Sequence, residues 1–596
     1  MNDFVKRRRR HLDARGIAQH VATAAILAML ALGCAVEGVD GGSAVIVAGT
    51  PATVETINTC VAGGVLLKGG YSGDIKLLCD KYLIDGGVVF KKGSVSIAAG
   101  TTFVVADGGS LWIESDSAIV AKGTKDKPIV IRGDKTAMGL WKVFAIESAD
   151  PDNALHFVEV RGAGSATHYT TAKAGLYLKN KAKLNLANCT FADNGGSHVY
   201  VENDVTLTGF LTNTFGPQDL AAMTVYTQSA GALDAGSDFG PDGNVVVVQG
   251  KSAEGDATWA ALNRPRLLSG NHVWKTGKLT IAAGAKLSMD AGATFWIEDV
   301  AAIEIAGTKD KPVMMTGKKD SPGYWRAFAI ASTDPTNKIS YLQLAHGASD
   351  SYYTERAAGL YLKGKAKVSV DHSSFTDTAG YGVAVENGAT LTGFDTNAFS
   401  GNKSASLYIT TTGVAMLDSA TNYGKDGAAD AFIEVKGIGA LEGGTWPKTN
   451  QPLRLLGNHE LKKGDFIFAA GVHLQLDTGA SLWLSEGASL VAKGTKEAPI
   501  VIEGRKASAA YWKTFGVESS DPGNSLSYVQ LRHAGSDTHY TSAKAGLYLK
   551  GKAKMKLDKC TFSDNGETDL VVEKGATVDP ADPTTANTFA GKVVLK

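Results

Sequence analysis

The stretch from Ala121 to Gly133 reads AKGTKDKPIVIRG, and the chain contains it three times. The second copy is AGTKDKPVMMTG, from Ala306 to Gly317, and the third is AKGTKEAPIVIEG, from Ala492 to Gly504. The glycines that open the GTK motif are Gly123, Gly307 and Gly494, which are almost evenly spaced. A tryptophan, an Asp-Pro pair and AGLYLK follow each copy at the same distances. The chain is therefore one unit written three times, which indicates an elongated stack rather than separate domains.

Within a unit, short apolar runs rich in β-branched residues alternate with glycine-bearing turns. The 596 residues include 70 glycines and only 15 prolines, and no period of 3.6 residues is sustained, so we expect strands and few helices. The connections are too short for helical crossovers between parallel strands. A solenoid solves this problem, because each turn of the chain pairs in parallel with the turn before it.

Two segments give the strongest family resemblance: SLWIESDSAIVAKGTKDKPIVIRG (110–133) and SLWLSEGASLVAKGTKEAPIVIEG (481–504). With the motifs around them they resemble the bacterial right-handed parallel β-helix surface proteins of the pectin-lyase-like superfamily, over roughly residues 81 to 596. The resemblance implies an all-β, right-handed parallel β-helix solenoid built from three repeat units of about 185 residues each. It implies no single function, because that superfamily includes lyases, hydrolases, adhesins and proteins of unknown role.

The N-terminus resembles a secretory signal. Basic residues from Lys6 to Arg10 precede an apolar run from Val21 to Leu32, which is too short to span a membrane comfortably. Cys34 follows in a context that resembles a bacterial lipobox, so we expect lipidation there and a lipid anchor in the outer membrane or at the cell surface. Plain secretion is the alternative. The expected divisions are a signal peptide at 1–33, lipidated cysteine and tether at 34–43, an N-terminal cap at 44–80, and units at 81–264, 265–451 and 452–596.

The remaining cysteines have two different interpretations. Cys60 and Cys79 flank one short segment and could form a disulfide in an oxidising envelope. Cys189 and Cys560 occupy equivalent places in units one and three, where unit two has Ser373. A position that accepts serine predicts a small packed side chain.

Charge and motif content exclude several function classes. The 60 basic and 60 acidic residues balance, so no global field attracts nucleic acid. The GTK stretch lacks the glycine spacing and the following helix of a phosphate-binding loop, so we expect no nucleotide. We predict no cofactor, no metal site and no catalytic residue.

The richest polar segments are three equivalent loops at 161–173, 345–357 and 532–544. No histidine or arginine occurs at the same place in all three, which argues against a shared catalytic residue. One tyrosine does persist, and we interpret it as a buttress for the loop, with stacking on a sugar ring as the alternative. The candidate ligand-binding residues of these loops are His168, Tyr169, Lys173, Tyr352, Tyr353, Arg356, His539, Tyr540 and Lys544.

Two further sets repeat with the unit. The tryptophans could form a carbohydrate platform, but their place within strand runs favours packing on or in the coil; they are Trp112, Trp141, Trp296, Trp325, Trp483 and Trp512. The lysines of the LKNKAK and LKGKAK motifs are either ordinary turn residues or a grip for an acidic polysaccharide. If every unit has the same number of coils, these lysines lie along one side of the rod.

The sequence therefore predicts a non-enzymatic cell-envelope β-helix lipoprotein that binds or organises a surface ligand, for which polysaccharide is the favoured class and an envelope protein is another. One alternative is a polysaccharide lyase or glycoside hydrolase with its site in a lateral groove. Another is a structural spacer or adhesin.

Overall fold

The computed structural model describes the backbone of Val45–Val47 and residues 57–217, 221–351, 353–425 and 431–596. The expected signal peptide, Cys34 and the tether lie outside the described residues. In the described part, no helix has both the length and the apolar character needed to cross a membrane.

The described chain is an all-β solenoid of stacked parallel strands, which confirms the predicted β-helix class. Ile129–Gly133 pairs in parallel with Val158–Arg161, and the equivalent pairs recur in the other units. Lys81–Ile97 runs round a whole coil, because it pairs first with Thr102–Val105 and then with both halves of Ser110–Lys122. Stacking in this way gives every interior strand a hydrogen-bonded neighbour above and below.

The strands of the described residues form five sheets. The first sheet contains Val45–Val47, Val65–Ser72, Ile75–Leu77, Lys81–Ile97, Thr102–Val105, Ser110–Lys122, Ile129–Gly133, Val143–Ile146, Ala154–His156, Val158–Arg161, Ala174–Leu178, Lys183–Ala187, Thr190–Ala192, Ser197–Val201, Thr206–Leu211, Thr214–Phe215, Ala221–Tyr226, Val246–Gln249, Arg266–Ser269, Lys286–Met289, Val313–Gly317, Leu342–Ala345, Ser374–Thr376 and Ala398–Ser400. The second sheet contains Ser252–Ala253, Asn271–Trp274, Thr294–Ile297, Ala327–Ile330, Ala358–Leu362, Tyr381–Val385, Leu407–Thr410, Ile433–Lys436, Leu453–Leu456, His473–Leu476, Ile500–Gly504, Val529–Arg532, Thr561–Ser563 and Thr588–Phe589.

Three shorter sheets complete the faces. The third sheet contains Ala257–Trp259, Gly277–Ala282, Ala301–Ala306, Lys338–Ser340, Lys367–Asp371 and Thr390–Asp395. The fourth sheet contains Gly439–Ala440, Asn458–Leu461, Ser481–Leu484, Phe515–Val517, Leu547–Leu549, Thr568–Val572 and Lys592–Leu595. The fifth sheet contains Gly444–Trp446, Gly464–Phe468, Ala488–Lys493, Ser525–Ser527, Lys554–Asp558 and Thr577–Asp579. Short 3-10 helices span Thr227–Ala232, Thr411–Met416 and Pro583–Thr585.

The GTK stretch is a corner followed by a core strand. A Cβ on Gly123 would lie 2.6 Å from the carbonyl oxygen of Phe157, so the close approach of the backbone requires glycine there. The Thr124 hydroxyl accepts a hydrogen bond from the Lys127 backbone N–H at 3.0 Å, which closes the turn. Ile129 and Ile131 then point into the core and are fully buried.

Packing inside the coil explains one repeated tryptophan of each unit and two of the cysteines. Trp141, Trp325 and Trp512 are fully buried, and each indole N–H donates to a backbone carbonyl at 2.7 to 2.9 Å. Cys189 and Cys560 are buried, and burial raises the pKa of their thiols to about 12 and about 11. Such thiols are packed side chains rather than nucleophiles.

The segment before residue 81 already belongs to the stack. Val65–Ser72 and Ile75–Leu77 pair in register with Lys81–Ile97. Cys60 and Cys79 form a disulfide, with their Cα atoms 5.4 Å apart, which joins residues just before these strands to the turn that follows them.

The three units do not stack with a whole number of coils. The register partners of Trp112 in successive coils are Ala145, Tyr177, Tyr200, Thr224, Val247, Leu267 and Ser288. Ser288 lies in Lys286–Met289, and Trp296 lies in the next strand of the same coil, Thr294–Ile297. From unit one to unit two the repeat therefore advances by seven coils and one face, so the condition under which equivalent lysines would lie along one side of the rod is not met.

Candidate functional site

An outward-facing row of side chains recurs once in each unit. Trp112, Ala145 and Tyr177 are register partners in consecutive coils. The equivalent rows are Trp296, Ala329, Tyr361 and Trp483, Gly516, Tyr548. The small middle residue leaves room for the indole, because a Cβ on Gly516 would overlap a ring carbon of Trp483. These tryptophans pack on the outside of the coil, whereas Trp141 and its equivalents lie inside it.

The tyrosine at the end of each row supports the polar loop. The hydroxyl oxygen of Tyr177 accepts the backbone N–H of Thr171 at 3.2 Å. Tyr361 and Tyr548 accept the N–H groups of Glu355 and Ser542 in the same way, at 2.9 and 3.1 Å. Burial raises the pKa of Tyr361 to about 12, so the hydroxyl keeps its proton. The loop buttress is therefore this buried tyrosine of AGLYLK, which the sequence reasoning missed.

The loop tyrosine itself has a different position. Tyr169, Tyr353 and Tyr540 are 80%, 70% and 73% exposed. All three have left-handed backbone, with φ of 51°, 54° and 56°, which costs an L-residue roughly 1–2 kcal/mol. The rings of Tyr169 and Tyr540 meet Trp112 and Trp483 edge to face at 6.3 and 6.1 Å. The preferred interpretation of this residue as a buttress does not fit a ring that is so exposed.

A lysine lies over each outer tryptophan. The ammonium groups of Lys179, Lys363 and Lys550 are 5.5, 5.2 and 5.8 Å from the indole centroids, within the range of a cation–π contact. Lys179 and Lys363 also donate to the carbonyl oxygens of Tyr169 and Tyr353, at 2.8 and 2.6 Å. In units one and two, the lysine thus links the exposed tyrosine to the tryptophan.

We call these groups the first, second and third aromatic sites. The first comprises Trp112, Tyr169 and Lys179; the second comprises Trp296, Tyr353 and Lys363; the third comprises Trp483, Tyr540 and Lys550.

Carboxylates differ among the sites. Glu147 pairs with Lys179 at 3.5 Å, and Glu518 pairs with Lys550 at 2.9 Å. The equivalent residue in the second site is Ala331, although Glu298 lines that site. The aromatic frame is therefore common to all three sites, while the acidic component varies.

Histidines accompany the tyrosine in the first and third sites. The His168 and His539 rings are 4.7 and 4.4 Å from the neighbouring tyrosine rings. Burial, followed by the positive charge of Lys142 or Lys513, lowers the pKa of each imidazole. Both rings are therefore neutral at pH 7 and can donate or accept a hydrogen bond. Tyr352, the equivalent residue of the second site, lies outside the described residues.

The second and third sites are open clefts of similar size. Their volumes are about 330 and 320 Å³, which is at the small end of ligand-binding clefts. Each floor includes an asparagine whose side-chain oxygen accepts a hydroxyl hydrogen bond at 3.0 Å, from Thr294 to Asn271 and from Ser481 to Asn458. The arrangement offers an aromatic edge, an ammonium group and several oxygen acceptors to one small polar ligand.

Not all the predicted residues belong to these sites. Lys173 and Lys544 are exposed at the ends of their loops. Arg356 makes its contacts outside the second site. Its guanidinium lies 4.1 Å from the Tyr408 ring centroid and 3.6 Å from the Glu434 carboxylate. In the described residues, no group of three or more histidine, cysteine, aspartate or glutamate side chains is placed to hold a metal ion.

Comparison with protein-family models, with curated proteins and with solved structures finds no match to this chain.

Proposed function

We propose that this protein is a non-enzymatic β-helix of the bacterial cell envelope that binds polysaccharide through its aromatic sites. The carrying observation is the recurrence, in each unit, of an exposed loop tyrosine together with an outer tryptophan that has a lysine over its ring. The exposure of this tyrosine supports a functional role, because nothing in the packing of the core requires that ring. Its left-handed backbone does not single it out, since Phe157, Tyr341 and Tyr528 share that conformation.

Polysaccharide fits the chemistry of these sites. A sugar ring has an apolar CH face that can pack on an aromatic ring, and hydroxyl groups at its edge that need donors and acceptors. The third site offers Tyr540 for the first purpose, and Asn458, Glu518 and Lys550 for the second. A cleft of about 320 Å³ has room for a short segment of a chain rather than for a large folded partner.

The test is retention on immobilised polysaccharides. Purified protein from residue 44 onward is passed over polygalacturonate, alginate, xylan and β-glucan, and the triple variant Tyr169→Ala, Tyr353→Ala, Tyr540→Ala is compared. We expect retention of the wild type and loss in the variant. Tyr528→Ala is the matched control, because Tyr528 also has left-handed backbone and a lysine 5.1 Å away but lies outside the sites. Equal retention of the triple variant and the wild type contradicts the proposal.

A polysaccharide lyase or hydrolase of the pectin-lyase-like superfamily is the second candidate. It is favoured by Glu460 and Glu518, two carboxylates that line the same third site. The same polysaccharides are incubated with the protein, and new reducing ends or unsaturated ends are measured. Cleavage that disappears in Glu460→Gln and Glu518→Gln replaces the binding proposal with the enzyme. A protein that neither binds nor cleaves these polysaccharides is better described as a spacer or adhesin.

We place the protein on the envelope by a lipid at Cys34, a proposal that rests on the sequence alone. Cell fractionation of Cys34→Ala tests it. The variant should move from the membrane fraction to the soluble fraction, and unchanged membrane association rules out the anchor.

A further inference from the structure

The three aromatic sites lie on three different sheets. Trp112 is in the first sheet, Trp296 in the second and Trp483 in the fourth. The partners of Trp296 in successive coils are Ala329, Tyr361, Ala384, Tyr408, Glu434, Arg454 and Gln475. Gln475 lies in His473–Leu476, one strand before Ser481–Leu484 with Trp483. The advance from the second site to the third therefore equals the advance from the first site to the second, namely seven coils and one face.

This step fixes the spacing and direction of the sites. Neighbouring coils are ~4.8 Å apart, so consecutive sites are separated by about 35 Å along the axis. Each site also faces outward from the next face of a three-faced coil. A straight polysaccharide chain that follows one side of the rod therefore meets only one aromatic site.

The two junctions between units share one buried contact. At the first junction, the Thr227 hydroxyl lies 3.0 Å from Nδ1 of His272, and Thr411 and His459 repeat this contact at 3.0 Å at the second junction. Both histidines are fully buried, and burial lowers the pKa of each to about 3. Both rings are therefore neutral at ordinary pH, and the same buried contact occurs at both junctions where the face changes.

We infer that the protein cross-links separate polysaccharide strands, one at each aromatic site. The inference rests on the proposed function and adds the number and direction of the bound strands. Linked sites increase affinity for one ligand only when their geometry allows simultaneous contact. Sites that lie on different faces cannot all contact one straight polysaccharide chain, so they do not increase the affinity for it. They bring different polysaccharide chains together instead.

The test uses xylan and polygalacturonate, each as a hexamer and as a long chain. Two-site knockouts made from the Tyr169→Ala, Tyr353→Ala and Tyr540→Ala substitutions leave one aromatic site intact in each variant. Calorimetry with the hexamer should give three bound molecules per wild-type protein and one per variant. Mixing with the long chain should give large particles in light scattering for the wild type, with a maximum at an intermediate ratio of protein to polysaccharide, and none for the variants.

Two results overturn the inference in distinguishable ways. If one long chain binds all three sites, the wild type forms small 1:1 complexes and binds the long chain at least 100-fold more tightly than the one-site variants, as expected for avidity. That outcome keeps the binding function and rejects cross-linking. If neither the hexamer nor the long chain of either polysaccharide binds, the proposed function fails for these ligands and the cross-linking inference fails with it.

Discussion

The second and third aromatic sites share a frame and differ in their charges. Both have a lysine over a tryptophan, an exposed tyrosine, and an asparagine whose side-chain oxygen accepts a hydrogen bond from a hydroxyl group. The third adds the ion pair between Glu518 and Lys550, where the second has Ala331. The shared frame indicates what the sites have in common, namely an aromatic surface beside a cation. If the sites bind polysaccharide as proposed, the variable carboxylate is where we expect their preferences for neutral and charged sugars to differ.

The largest expected effect comes from removing the shared frame. Trp296→Ala and Trp483→Ala should each abolish binding at their own site, because the tyrosine and lysine lose the surface against which they are held. Trp483 is only 7% exposed and Trp296 is half-buried, so the third site should lose more local stability, up to about 3 kcal/mol. Hydrogen exchange of Phe515–Val517 and Ala327–Ile330 measures the local loss. Tryptophan-to-phenylalanine variants serve as controls and should retain partial binding.

The next effect tests the residue beneath the indole. Gly516→Ala places a methyl group where the Trp483 ring now lies, at a cost of about 1–3 kcal/mol. The second site already has Ala329 there, so Ala329→Gly should change binding little. We expect a loss of about tenfold in affinity at the third site only, measured on one-site variants. Equal changes in affinity from the two substitutions would show that the two indoles pack on the middle residue in the same way.

The repeated sequence predicts the interior of this molecule better than its outer sites. Gly123 and Ile129 follow local rules, since a tight corner requires glycine and a core strand requires alternating apolar residues. The aromatic sites depend on register instead. Trp112 and Tyr177 lie in one row only because each pairs with the strand that contains Ala145, a register that the spacing of the two residues in the sequence does not reveal.

The sequence also did not predict that successive sites lie on different faces, because this depends on strand register too. Coil lengths vary with the loops, so the even spacing of the GTK motifs does not reveal whether a unit ends on the face where it began. The 3-10 helices Thr227–Ala232 and Thr411–Met416 lie at the junctions where the face changes, and no apolar period marks them. The repeated loop tyrosines, tryptophans and lysines were usable signals for the sites, but the sequence did not show that they lie together.

Exchanging the variable carboxylate should alter ligand preference without abolishing binding. Ala331→Glu gives the second site the acidic group of the third, and Glu518→Ala removes it from the third. The ratio of affinities for hexagalacturonate and xylohexaose should fall about threefold in the first variant and rise about threefold in the second, the scale of a surface charge contact. Both shifts should shrink at about 1 M salt, where such contacts are screened. Glu518→Gln separates charge from shape, and shifts of the same sign in the two exchanges contradict the comparison.

The smallest expected effect is a dependence on pH that the second site lacks. Burial and Lys513 disfavour the imidazolium of His539, so the pKa of that ring lies below its ordinary 6.5. The neutral ring contributes fully to the stability of the loop above pH 6.5. That contribution decreases as the pH falls below 6.5, and it is lost once the pH is below the lowered pKa. Protonation then places a second positive charge near the Lys513 ammonium, whose nitrogen lies 3.4 Å from Nδ1 of His539.

Affinity of the third site should fall roughly threefold between pH 7.5 and pH 5, and His539→Gln should remove this dependence. The second site has Tyr352 at the equivalent position, so an equal fall there would assign the pH effect to the ligand rather than to the histidine.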